Sequence, residues 1–174
     1  MTDKAPILIM AVGNPSRGDD AFGPMLADQL LYWLDTQSED VQACIELICD
    51  QQLMVEHVMD LADRHQVLFA DAAAQGDEAV SLVTLAPLPI DQAVQGVNSH
   101  SCTPAQLLGL YQAMLMKLPP PAQLLSLTGH GFELGEPLSP PARAQFPLAM
   151  ALLHQWLHDA LKLSAPAIAG QPHA

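Results

Sequence analysis

The sequence predicts an α/β fold: a three-layer α/β/α sandwich with a mostly parallel five-stranded sheet and one antiparallel edge strand. Three observations predict it. Short apolar runs alternate with stretches of helical periodicity in the order βαβαββαβα. The first run, APILIMAV (residues 5–12), is almost uninterruptedly apolar, as suits a strand buried on both faces. The third and fourth runs are separated only by a turn, too few residues for a helical crossover, which makes the fourth strand antiparallel and suggests a hairpin with the third.

The elements follow in order. Gly13 ends the first strand, and Phe22, Met25, Leu26, Leu30 and Tyr32 to Leu34 recur at helical spacing until the polar break at Asp35. ACIELIC (43–49) is the second strand, and the apolar residues from Leu53 to Ala62 line one side of a helix reaching Arg64. QVLFADAAA (66–74) and VSLVTL (80–85) are the third and fourth strands. Thr103-Pro104 is a cap with a first-turn proline, opening a helix to about Met116. Three prolines (119–121) then separate it from a fifth strand, QLLSLTG. Ser139-Pro140 repeats the start signal for the last helix, which Pro147 is expected to kink or restart.

Length and composition narrow the function. The 174 residues suit a single domain, 1–163, followed by a flexible tail, 164–174, that is small-residue and proline-containing. Nineteen acidic against six basic residues give a formal net charge of −13. That field repels phosphate backbones, so no nucleic-acid partner is expected; it matches a cation or a basic client segment, and equally serves solubility. No apolar run approaches the ~20 residues needed to span a bilayer, and three cysteines without C-x-x-C spacing suggest no disulfide framework. The expected protein is soluble, cytoplasmic and without a membrane partner.

In parallel sheets, sites gather at the carboxyl ends of the strands. Three such ends carry usable side chains: Asp19 and Asp20 in GNPSRGDDAFGP after the first strand, Asp71 closing the third, and His100 in the loop before the Thr103-Pro104 helix. Two carboxylates and an imidazole would suit a borderline divalent ion such as Ni²⁺ or Zn²⁺ with positions left open. Plain readings stand beside this one: one of Asp19 and Asp20 as a helix cap, Asp71 as a turn former, His100 as a solvated loop residue. The glycines at 13, 18 and 23 do not make a G-x-G-x-x-G, and there is no G-K-[ST], which disfavours a nucleotide. Ser101 and Cys102 next to His100 are poor nucleophile candidates, because neighbours in an extended loop point different ways. His130, in GHG, either reaches the same rim or serves a turn, and Arg17 either orients a carboxylate or is solvated.

ILIMAVGNPSRGDDAFGP, VLFADAA and SHSCTPAQLLGL, in that order, together resemble the [NiFe]-hydrogenase maturation endopeptidases. The resemblance runs from about residue 7 to 162. It implies an endopeptidase that removes the C-terminal extension of a hydrogenase large-subunit precursor after nickel insertion. It places nickel recognition on Asp20, Asp71 and His100, with the nickel supplied by the precursor and zinc or another divalent ion able to occupy the isolated site. Asp19 then organises the loop or, with Asp50 and Gln52, contacts the client. Two departures stand out: Asp20 where many members have Glu, and Asp50-Gln51-Gln52-Leu53 where many have D-G-G-T. DQQL with GHGFELGE resembles the branch serving soluble, NAD-reducing or bidirectional hydrogenases. No catalytic nucleophile is evident, so a non-enzymatic nickel-dependent chaperone is the alternative.

Overall fold

The computed structural model describes residues 4–94 and 102–168. Five strands, β1 (Ile7–Val12), β2 (Ile45–Asp50), β3 (Gln66–Ala73), β4 (Val80–Leu85) and β5 (Ala122–Thr128), form one sheet in the order β2-β1-β3-β5-β4. All neighbours are parallel except β4 and β5. Every residue of β1 is buried, which explains its unbroken apolar run: it lies between two strands and beneath two helical layers.

The helices are α1 (Phe22–Leu34), α2 (Glu39–Cys44), α3 (Ile90–Val94), α4 (Pro104–Leu115) and α5 (Pro140–Ile168). On one face of the sheet, Ile7, Ile9, Leu68 and Leu125 pack against Phe22, Leu26 and Leu30 of α1 and Leu153 and Leu157 of α5. On the other, Leu8, Met10, Val67 and Phe69 pack against Leu107, Leu108 and Tyr111 of α4. The two sets alternate along each strand, as the pleat requires. Each fully buried Leu, Ile or Phe contributes about 2 kcal/mol. The predicted three-layer α/β/α sandwich is therefore present.

Several details differ from the sequence reading. β4 does not form a hairpin with β3, because β5 lies between them. Residues 74–79 cross over the end of β5, where Thr128 N donates to Ala79 O and Gly129 N donates to Ala73 O. β5 takes the inner place because it can bury side chains on both faces, Leu125 and Leu127 on one and Ala122 on the other, whereas β4 leaves Val83 and Thr84 exposed.

The expected helix from Leu53 to Arg64 is a 3-10 segment, Val55–Val58, followed by turns. Its backbone bonds run three residues back, as in Met59 N to Glu56 O and Asp60 N to His57 O, and Asp63 adopts φ 63°. Leu53, Val58 and Leu61 are nonetheless buried as their spacing suggested. The short helices α2 and α3 have no counterpart in that reading, and Ala43 and Cys44, read as strand, end α2.

α5 is continuous through Pro147, with no restart, and runs on to Ile168. Among the described residues, no helix is long and apolar enough to cross a membrane.

Candidate functional site

The order β2-β1-β3 puts a topological switch between β1 and β3, and in such sheets a crevice opens at the strands' carboxyl ends. Here that crevice is a cavity of about 270 Å³ lined by Asp20 and Asp71, with Gln52, Leu53, Cys102 and Thr103 among its other walls.

The β1–α1 connection delivers Asp20 through a backbone only glycine allows. Gly13 has φ 144°, and a Cβ there would collide with the carbonyl oxygen of Asp20. Gly18 has φ 53° and opens the 3-10 turn Gly18–Ala21, where a Cβ would strike the carbonyl oxygen of Gly131. Within that turn Asp20 N donates to Arg17 O, and the Asp20 Oδ2 accepts from Asn14 N at 3.0 Å.

Asp71 closes the apolar part of β3. Burial pushes its carboxyl up to about 6; an N–H bond from Ala72 opposes the shift and the negative charge of Asp20 adds to it. Among the described residues no Lys or Arg side chain lines the cavity, so its two carboxylates have no cationic partner among the described walls. Such a pair favours either a proton or a divalent cation.

Asp19, one residue before Asp20, points the other way. It is fully buried. Its Oδ2 accepts from His130 N (2.7 Å), Gly131 N (3.2 Å) and the Ser139 hydroxyl (2.8 Å), and its Oδ1 from Ser139 N (2.6 Å). Burial alone would raise its pKa, but these donors more than offset that and hold the carboxyl below its ordinary value.

No protein-family model and no curated protein matches this sequence. Solved structures do match. The hydrogenase maturating endopeptidase HybD from E. coli superposes with a TM-score of 0.67 over 88% of this chain and 93% of its own, at 18% identity. The [NiFe] hydrogenase maturation protease HycI from Thermococcus kodakarensis KOD1 gives 0.61 over 89% and 94%, at 22% identity. A hydrogenase 2 maturation peptidase from Thaumarchaeota archaeon SCGC_AB-539-E09 gives 0.58 over 87% and 97%, at 21% identity. The chain has the fold of the hydrogenase maturation endopeptidases.

In this maturation-endopeptidase fold the sequence-predicted residues fall into three groups. Asp20 and Asp71 meet in the cavity, and Gln52 lines it. Asp19 and Asp50 are held by the protein itself. The Asp19 side chain is fully buried. The Asp50 carboxylate accepts from Gln51 N at 2.6 Å and lies 3.6 Å from His57 Nε2, while His57 Nδ1 accepts from Met54 N at 2.9 Å. About half of the Asp50 side chain, 48%, remains exposed. The third group is His100, which lies outside the described residues.

Among the described residues, no three His, Cys, Asp or Glu side chains are placed to hold a metal ion. The cavity holds two carboxylates, those of Asp20 and Asp71. Cys102 adds no reactive thiol, because burial, with the charge of Glu56, pushes it up to about 11. His130 acts through its backbone N–H while its side chain is exposed, and Arg17 donates from Nε to Phe132 O at 3.3 Å. The sequence reading missed Ser139, seen only as the start of a helix; nothing local announces a partner for Asp19 so far along the chain.

Proposed function

We propose that this protein is a [NiFe]-hydrogenase maturation endopeptidase, which removes the C-terminal extension of a large-subunit precursor after nickel has been inserted. The observation that carries the reading is that Asp20 and Asp71 line one cavity at the β1/β3 switch, with no Lys or Arg among its described walls, within a fold shared with proteins of that name. Precursor-bound nickel is the recognised part of the substrate, and Asp20, Asp71 and His100 complete its coordination. Zinc or another divalent ion takes the same place when the protein is alone.

The chain's own residues account for the selectivity. At neutral pH Asp71 is ionised against the cost of its burial, and with Asp20 it presents two negative oxygens that only a cation relieves. A precursor without nickel brings no such charge and gains nothing from the cavity. Gln52 and Thr103, which line the same cavity, offer uncharged polar groups for the backbone of the peptide to be cut.

The test is to incubate the purified protein with nickel-loaded and nickel-free precursor and to weigh the products. A shortened large subunit and a released peptide are expected only with nickel, and are expected to vanish in D71N and in His100→Ala. Tight binding of the nickel-loaded precursor with no mass change would instead establish the non-enzymatic chaperone. That alternative is favoured by one observation: the cavity's described walls hold no activated nucleophile.

A further inference from the structure

We propose that Asp19 is a positioning residue for Asp20, and that the connection between β5 and α5 therefore forms part of the machinery that aims Asp20 into the cavity. This rests on the reading of the cavity as the client-recognition site.

The argument starts from the 3-10 turn. With three residues per turn, successive side chains leave the axis about 120° apart, so fixing one sets the direction of the next. Asp20 itself has a weak tether: a single side-chain hydrogen bond, from Asn14 N, at a residue that is only partly buried. Asp19 has the strong one. Four donors converge on its buried carboxylate, and none belongs to its own loop.

Three further backbone bonds lace the same two segments together: Asp19 N to Gly131 O (2.8 Å), Gly18 N to Glu136 O (3.0 Å) and Gly135 N to Ser16 O (2.7 Å). Packing reinforces the lacing, since a Cβ on Gly129 would press on the Cβ of Asp19.

The donors are specific for a carboxylate. Every bond to the Asp19 carboxylate is accepted, so an amide side chain at this position must turn its NH₂ toward an N–H or a hydroxyl already donating. The Ser139 hydroxyl donates to Asp19 and accepts from Ala142 N at 3.3 Å, which couples the node to the first turn of α5. The positive end of that helix adds to the hold on the negative charge. Asp19→Asn keeps the shape and breaks the pattern, so it separates the charge from the packing.

The experiment uses the Asn14 amide as a reporter, because its N–H bonds to Asp20 Oδ2. Amide ¹H–¹⁵N spectra are recorded for the wild type, D19N, S139A, D20A and D19N/D20A. The expected result is that the Asn14 resonance in D19N moves most of the way to its place in D20A, that S139A moves it partway, and that D19N adds no further shift in the D20A background. NiCl₂ titration of the same proteins is expected to show binding weakened about tenfold in D19N, with no additional loss in the double variant.

An Asn14 resonance unmoved in D19N, or losses that simply multiply, would overturn the proposal. If D19N does not fold, S139A decides by the same reporter: an unmoved resonance overturns it. Equal nickel binding by wild type and D20A would overturn the nickel reading instead, and the Asn14 comparison would still decide the positioning.

Discussion

Asp19 and Ser139 are joined by two hydrogen bonds, from the serine backbone N–H at 2.6 Å and from its hydroxyl at 2.8 Å, across 120 positions of sequence. The carboxylate so held sits between the turn that carries Asp20 and the start of α5. One buried charge thus ties the first loop of the chain to its last helix, at the rim where the candidate site lies.

This tie makes stability acid-sensitive. The folded-state pKa of Asp19 lies below the ordinary 3.8, so the native state binds its proton less readily than the unfolded chain. The stabilisation is fully present above about pH 4 and is lost as pH falls through the folded value. Thermal melts from pH 2.5 to 6 should show a decline at the acid end that is shallower in D19N. At pH 7, D19N should cost about 1–3 kcal/mol, because a buried donor loses its acceptor.

Asp71 behaves in the opposite sense. Its folded pKa, about 6, lies above the unfolded 3.8, so the native state binds more protons in that window and loses stability as pH rises through it. D71N removes the buried charge and should raise stability at pH 7.5 by about 1–3 kcal/mol, with little effect at pH 4. The same variant should abolish processing of precursor. Below pH 6 a proton competes for the carboxylate, so Ni²⁺ affinity of the wild type should fall, which calorimetric titration at pH 5 and 7.5 would measure.

Gly13→Ala places a methyl group against the carbonyl oxygen of Asp20 in a backbone conformation that L residues avoid. The loop must shift, and the expected cost is about 2 kcal/mol or more in urea unfolding. Ni²⁺ binding should weaken even at temperatures where the variant stays folded.

Thr103→Ala dissolves the capping box of α4, in which Thr103 Oγ1 accepts from Gln106 N at 3.2 Å and Gln106 Oε1 accepts from Thr103 N at 2.8 Å. The loss should be about 1 kcal/mol, read as a lower urea midpoint with an unchanged slope. Asp20 and Asp71 are on other walls of the cavity, so Ni²⁺ affinity should change less than in Gly13→Ala.

The strands and the larger helices were legible because their signals are local. An unbroken apolar run such as Ile7 to Val12 has few other ways to be buried, and Thr103-Pro104 and Ser139-Pro140 start helices by the chemistry of two adjacent residues. The segment after β2 misled for the same local reason: Leu53, Val58 and Leu61 have the spacing of a helix face, and a 3-10 turn with looser turns buries them equally well. Asp20 and Asp71 were legible as candidates because a carboxylate after a buried strand needs an explanation, and because sheets of this class expose their strand ends together.

The sequence by itself determined the α/β class, an order of elements along the chain compatible with a mostly parallel sheet, and which carboxylates stand at strand ends. Only the tertiary structure decided that β5 enters the sheet between β3 and the edge strand β4, that Asp20 and Asp71 share one cavity, and that the Asp19 carboxylate is hydrogen-bonded to Ser139. The physical reason is range. Helix starts and buried strands are set by residues a few positions apart, whereas strand neighbours, a carboxyl pushed to about 6 and a four-donor carboxylate are set by groups that meet only when the chain has closed on itself.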